Sequence, residues 1–253
     1  MNRVRVRKIV IGEGKPKMVV PIVAKTEIEL EKQVQEILQQ KVDILEWRGD
    51  WFDGIFDWKR VENMLVVLRK YAGEVPILFT FRTAKEGGEK EISQKIYREL
   101  NINVAKTQLI ELIDVEGFAF ENGEKLIKEL QEHGTKVIVS SHDFKNTLPK
   151  DELIERLCKM QEMGADIVKM AVMPQSAKDV LELLSATEEM NRLYAKQPIV
   201  TMSMSGQGVI SRLAGELVGS ALTFGAVGKT SAPGQIDVET LHFILTTLHN
   251  QLR

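Results

Sequence analysis

Short runs of apolar, often β-branched residues alternate along the chain with longer stretches whose apolar positions recur three or four residues apart. These two periods separate pleated strands from amphipathic helices. The short runs predict strands at Met18–Ala24, Ile44–Arg48, Ile77–Arg82, Leu109–Glu116, Lys136–Asp143, Ala165–Val172, Pro198–Met204 and Leu222–Val227. The longer spacing predicts helices such as Glu27–Gln40, Trp58–Tyr71, Glu124–Glu132, Glu152–Met163 and Ala177–Met190, with Asp237–Leu252 after the last strand. Repeated strand–helix pairs with no linker between them predict an α/β protein. The expected architecture is a closed parallel (β/α)8 TIM barrel, with residues 1–253 as one domain. Periodicity does not report closure, so a doubly wound open sheet is the alternative. Upstream, Val4–Val10 alternates ahead of Gly12-Glu13-Gly14 and Pro16, which predicts a short hairpin within residues 1–17 that covers one barrel mouth.

The same alternation assigns faces. In a barrel the residues that do chemistry project from the C-terminal strand ends. Glu46 and Arg48 then share one face of their strand, with Leu45 and Trp47 packing against helices. Thr80 and Arg82 oppose Phe79 and Phe81, Ser140 pairs with His142, and Ile167 with Lys169. Lys169 stands out, because a lysine inside Ile167-Val168-Lys169-Met170-Ala171-Val172 is costly to bury without a partner or a task. Of four histidines only His142 falls at a predicted strand end; His133, His242 and His249 fall on helices or their ends.

Composition narrows the classes. Charges nearly cancel, with 34 basic and 36 acidic side chains giving −2, and this argues against a nucleic-acid binder. The single cysteine, Cys158, excludes an intrachain disulfide or a cysteine metal cluster and fits a reducing compartment. No apolar run reaches membrane-spanning length and the N-terminal residues lack a signal-peptide pattern, so a cytoplasmic protein is expected.

The strand-end residues suggest a chemistry. A lysine amine attacks a ketone only when unprotonated, a state that apolar walls and neighbouring arginines favour. The resulting imine, once protonated, acidifies the adjacent carbon. A nearby histidine could remove that proton and return one to a departing hydroxyl. Glu86, four residues beyond Arg82, is a plausible carboxylate partner for the imidazole. Ser205-Gly206-Gln207-Gly208 precedes a helix, a pattern that can bind phosphate, but no lysine follows in P-loop spacing. Arg212 could instead clamp a carboxylate. Ser231-Ala232-Pro233-Gly234-Gln235 reads either as an ordinary turn or as a loop that closes over a ligand.

An ordered set of phrases then resembles the type I 3-dehydroquinate dehydratase family. It includes Glu46-Trp47-Arg48, Phe79-Thr80-Phe81-Arg82-Thr83 followed by Glu86-Gly87-Gly88, Ser140-Ser141-His142-Asp143-Phe144 and Ile167-Val168-Lys169. Thr201-Met202-Ser203-Met204, Ser211-Arg212-Leu213-Ala214-Gly215 and Ser231-Ala232-Pro233-Gly234-Gln235 complete it. The resemblance implies a (β/α)8 enzyme of the shikimate pathway with no metal or cofactor, usually a homodimer, that dehydrates 3-dehydroquinate to 3-dehydroshikimate. By motif, Lys169 would form the imine, His142 would act as base and then acid, and Glu86 would orient it. Arg212 would hold the substrate carboxylate with Ser231 and Gln235; Glu46, Arg48 and Arg82 would bind ring hydroxyls, and Met202 would line the pocket. Pro21, Ser141 and Gly117 depart from the commonest family pattern. Two alternatives remain at this stage: another Schiff-base barrel of the class I aldolase kind, and a catalytically silent barrel that only binds.

Overall fold

The computed structural model describes residues 2–252. Eight parallel strands run in chain order around the sheet. They are β3 (Lys17–Ile22), β4 (Ile44–Arg48), β5 (Ile77–Thr80), β6 (Leu112–Glu116), β7 (Lys136–Asp143), β8 (Ile167–Val172), β9 (Ile199–Ser203) and β10 (Leu222–Ala226). A doubly wound sheet must reverse its order at a switch point, whereas here every sequential pair from β3 to β9 is adjacent and β10 returns to pair with β3. The last seam, β9 to β10, is narrow. It consists of an Ile199–Ser220 bridge with the Ala221 N–H donating to the Ile199 carbonyl at 2.8 Å. A two-residue strand, β11 (Ile236–Asp237), adds to the outside of β10.

Helices α1 (Glu27–Ile37), α2 (Trp58–Ala72), α3 (Gln94–Lys106), α4 (Gly123–Glu132), α5 (Lys150–Glu162), α6 (Ala177–Glu189) and α9 (Val238–Gln251) follow successive strands, with short α7 (Val209–Leu213) and α8 (Gly215–Val218) between β9 and β10. Local chemistry starts several of them. Asp57 accepts from the N–H groups of Lys59 and Arg60 at the head of α2, and Ser176 and Asp179 form a reciprocal capping box at α6. Helix α3 is absent from the expectations above: its apolar stripe is interrupted by a buried polar residue, Asn101, which donates to the Tyr97 carbonyl at 2.8 Å. Strand β6 starts three residues later than expected because Gln108 adopts a left-handed conformation, φ 56°, after α3.

The assigned faces hold. Leu45, Trp47, Phe79, Phe81, Val168 and Met170 sit in the outer core between strands and helices. Val19, Ile44, Leu78, Leu112, Ile138 and Ile167 form an apolar layer inside the barrel near the N-terminal strand ends. The hairpin of β1 (Val4–Val6) and β2 (Ile9–Ile11) presses Val4, Val6 and Ile11 onto that layer and plugs this mouth. Its turn lies at Arg7–Lys8 rather than in the Gly12–Gly14 segment, which instead leads into β3. Arg7 holds a left-handed φ of 49°. Its guanidinium pairs with Glu111 at 2.5 Å and Glu74 at 3.2 Å.

Candidate active site

One residue step of two along each strand moves from the apolar plug into a charged layer. Registered neighbours place Thr80 beside Asp114 and Arg48 beside Thr80, and Glu116 beside Ser140 and Ser140 beside Lys169. Above Ser140 on the same face lies His142. This ring opens into a pocket whose wall includes Glu46, Arg48, Arg82, Glu86, His142 and Lys169 from β4, β7 and β8 and the loop after β5. Met202, Arg212, Ser231 and Gln235 close the other side. Every residue named as a candidate from the sequence therefore lines one pocket.

Lys169 Nζ donates to Asp114 Oδ2 at 3.0 Å, and both side chains are buried. The expectation that arginines surround this amine is thus corrected in one respect: a carboxylate stands between. Asp114 Oδ1 also accepts from Arg82 Nη2 at 2.7 Å and Ser140 Oγ at 2.6 Å. Burial alone would push the Asp114 carboxyl up, but Arg82 and Lys169 outweigh it and hold the group well below the ordinary carboxylate range. On the other side of the amine, the Phe224 ring centroid is 4.7 Å from Nζ.

His142 Nδ1 lies 2.8 Å from Glu86 Oε2, and the same oxygen accepts the His142 backbone N–H at 3.0 Å. The double contact fixes the ring and leaves Nε2 as its remaining nitrogen. Burial, reinforced by Arg82 and Lys169, pushes the imidazole well below its ordinary pKa, so its neutral form dominates at pH 7. Burial likewise raises the Glu86 carboxyl to about 8, with Arg82 opposing and Glu116 and Asp114 assisting. The loop carrying Glu86 is tightly seated: Gly87 has φ 83°, and a Cβ there would meet the Phe144 ring at 2.4 Å.

The arginines fall into two kinds. Arg48 gives Nε and Nη2 to Asp50 at 2.9 and 2.8 Å, and Arg82 is engaged by Asp114, Glu116 and Ser140. Arg212 has no carboxylate within ion-pair distance among the described residues. Its Nη2 donates to the Pro233 carbonyl at 3.0 Å and its Nε is buried without a partner. Burial alone lowers it to about 10, which leaves it charged at neutral pH. A buried cation with no anion is a seat waiting for one. The loop beside it is stapled internally, with the Ser231 N–H donating to Gln235 Oε1 at 2.8 Å and Gln235 Nε2 to Ser231 Oγ at 3.0 Å.

Gly208 is accounted for by packing instead of phosphate binding, since a Cβ there would sit 2.2 Å from the Ser203 carbonyl oxygen. Pro21 registers on Glu46. Ser141 faces outward to Arg156 at 3.4 Å. At Gly117 a Cβ would stand 2.8 Å from Val139 Cγ1, so packing here is tailored to glycine. His249 pairs with Glu216 on the helical shell at 2.6 Å, away from the pocket. Sequence reasoning missed Asp50, Asp114 and Glu116. For the last two the signal was present: they occupy one face of a strand two residues apart, as Glu46 and Arg48 do.

A parallel barrel with lysine, imidazole and an unmatched arginine converging at its C-terminal mouth defines an enzyme class: barrel catalysts of carbonyl chemistry on anionic substrates. The comparisons carry this further. Residues 18–252 match the family model described as "Type I 3-dehydroquinase". A 3-dehydroquinate dehydratase of Clostridioides difficile is 50% identical over 255 residues, covering 99% of each chain, and one of Listeria welshimeri is 49% identical over 252 residues, covering 99% of this chain and 100% of its own. The crystal structure of the type I enzyme from Clostridium difficile superposes with a TM-score of 0.96 at 49% identity and 99% coverage of both chains. That of the Geobacillus kaustophilus enzyme gives 0.97 at 38% identity, covering 100% and 98%. The chain belongs to the type I 3-dehydroquinase family and is a carbon–oxygen hydro-lyase, which removes the aldolase-like and silent-barrel alternatives.

Proposed function

We propose that the enzyme dehydrates 3-dehydroquinate to 3-dehydroshikimate through an imine on Lys169. The observation that carries this reading is a buried amine opening into the same pocket as an imidazole whose burial keeps it neutral. Lys169 condenses with the substrate ketone, water leaves, and the protonated imine draws electrons from the adjacent carbon. His142 takes that carbon's proton and then delivers one to the departing hydroxyl, completing the elimination; water then hydrolyses the product imine, releasing 3-dehydroshikimate and restoring the Lys169 amine. Glu86, bonded to Nδ1, holds the ring in the orientation that leaves Nε2 free.

Arg212 receives the substrate carboxylate, with Ser231 and Gln235 presented beside it by their loop. Glu46 accepts from Thr80 through Oε1 at 2.8 Å, so its other oxygen can take a ring hydroxyl, and the Nη1 edge of Arg48 offers a donor. Arg82, occupied by carboxylates, contributes mainly its field, and Met202 supplies an apolar wall. The C. difficile structure is described "with Covalent Modified Comenic Acid", which is consistent with covalent chemistry in the family. No metal or organic cofactor has a part in this scheme.

The reading extends to a shikimate-pathway enzyme of the cytoplasm that assembles as a homodimer and folds as one domain. Analytical ultracentrifugation tests the dimer. Borohydride added with 3-dehydroquinate tests the mechanism: the expected outcome is a stable adduct on the peptide that contains Lys169. A protein that turns over yet is never modified would overturn the imine route.

A further inference from the structure

The Lys169 amine has one hydrogen-bonding partner among the described residues, and that partner is itself anchored. Asp114 Oδ2 lies 3.0 Å from Nζ while Oδ1 is held by Arg82 and Ser140, so the carboxylate can neither rotate away nor follow a departing proton. Resting on the imine reading above, we propose that Asp114 is the fixed counter-ion of the imine nitrogen, and that it holds the imine protonated through dehydration.

The balance of the condensation supports the assignment. An ammonium and a ketone give an iminium and one water: the nitrogen surrenders two protons to the carbonyl oxygen, the carbon–oxygen bond breaks, and a carbon–nitrogen double bond forms. One positive charge sits on Nζ at the start and one at the end. A carboxylate at hydrogen-bond distance therefore opposes neither end state and favours both over the neutral amine or neutral imine. Both transferred protons end on the departing water, so the condensation asks Asp114 to gain none. The Phe224 ring, 4.7 Å from Nζ, offers its negative face to the same cation.

The other charged groups around this pocket do not substitute for Asp114. Arg48, Arg82 and Arg212 disfavour a cation at Nζ; Glu46 favours one but is bonded to Thr80, and Glu86, raised to about 8 by burial, is bonded to His142. Among the described residues none of these comes within hydrogen-bond distance of the amine, and β8 itself brings no second charge into the pocket wall.

The test compares kcat against pH, and borohydride trapping, in the wild type, Asp114→Asn, Asp114→Glu and Glu116→Gln. Losing the counter-ion should move the alkaline limb of kcat down by about one to three pH units. Borohydride should still trap Lys169 at acidic pH. Asp114→Glu should restore most of the limb. Glu116→Gln disturbs Arg82 and Thr83 without touching Nζ, so it should move the limb less than Asp114→Asn does. An Asp114→Asn limb at the wild-type position, with trapping intact, overturns the counter-ion; absence of trapping in the wild type overturns the imine reading instead. Should Asp114→Asn not fold, ¹⁵N-lysine NMR of the wild-type adduct decides, because a neutral imine at pH 7 would also refute the proposal.

Discussion

The two mouths of this barrel are built on the same strands and differ in almost everything else. At the N-terminal mouth Ile44, Leu78, Leu112, Ile138 and Ile167 meet Val4, Val6 and Ile11 of the hairpin in a dry layer. Two residues further along, the same faces carry Glu46, Thr80, Asp114, Ser140 and Lys169: a Thr80–Glu46 hydrogen bond beside a cluster in which Asp114 takes Ser140, Lys169 and Arg82. Apolar burial needs no directional partner, so the first layer contributes stability. Buried ion pairs give back in attraction much of what desolvation costs, so the second contributes little stability and a great deal of electrostatic order. The difference separates what holds the protein up from what it does.

Four substitutions test that division. Lys169→Ala has the largest expected effect: turnover falls to the uncatalysed level while 3-dehydroquinate still binds by calorimetry, and the melting temperature falls only modestly, because Arg82 and Ser140 still hold Asp114. A melting temperature that collapses would tie the charged layer to stability and break the division. His142→Ala should lower kcat by about 10²–10⁴-fold, with the borohydride-trapped adduct on Lys169 accumulating. Adduct without slowed turnover would move proton transfer elsewhere. Arg212→Leu removes the unmatched cation and should raise KM by roughly 10–100-fold, the worth of charged hydrogen bonds, while kcat changes less. An unaltered KM would place the carboxylate seat on another residue.

At the opposite mouth, Leu78→Ala should cost about 2–5 kcal/mol by denaturant unfolding and leave kcat per folded molecule unchanged. A kcat loss here would mean that the plug layer also sets the geometry above it. The smallest effect concerns pH. The depressed pKa of His142 means that the folded state binds fewer protons than the unfolded one on the acid side, so its contribution is present above about 6.5, the unfolded value, and is lost as pH falls below it. The wild type should therefore lose more stability than His142→Ala on acidification below about 6.5, and parallel stability curves would contradict the burial argument.

Much of the site was readable in advance because a strand's two-residue period is rigid. Once Ile44-Leu45-Glu46-Trp47-Arg48 is a strand with Trp47 against helices, Glu46 and Arg48 must face the barrel interior, and the same logic delivers Lys169 and His142. That reasoning also reaches Asp114 and Glu116, which share their face in the same way. Asp50 is different: it lies beyond the strand, in the turn Gly49–Trp51, where it takes Arg48 two residues away, and only tertiary folding brings its carboxylate to the N–H groups of Arg82 and Glu89.

By itself, the amino-acid order determined the alternation of elements, the face each strand residue takes and the family to which the chain belongs, since all of these follow from local periods and contiguous motifs. Tertiary structure alone decided that the sheet closes through the Ile199–Ser220 seam, that Glu86 reaches His142 from 56 positions away in the chain, that Asp114 stands at Lys169 and that Arg212 lacks an acid. Charge pairing across a barrel depends on which strand ends meet and at what height. Those distances are set by register and curvature, which no local pattern encodes.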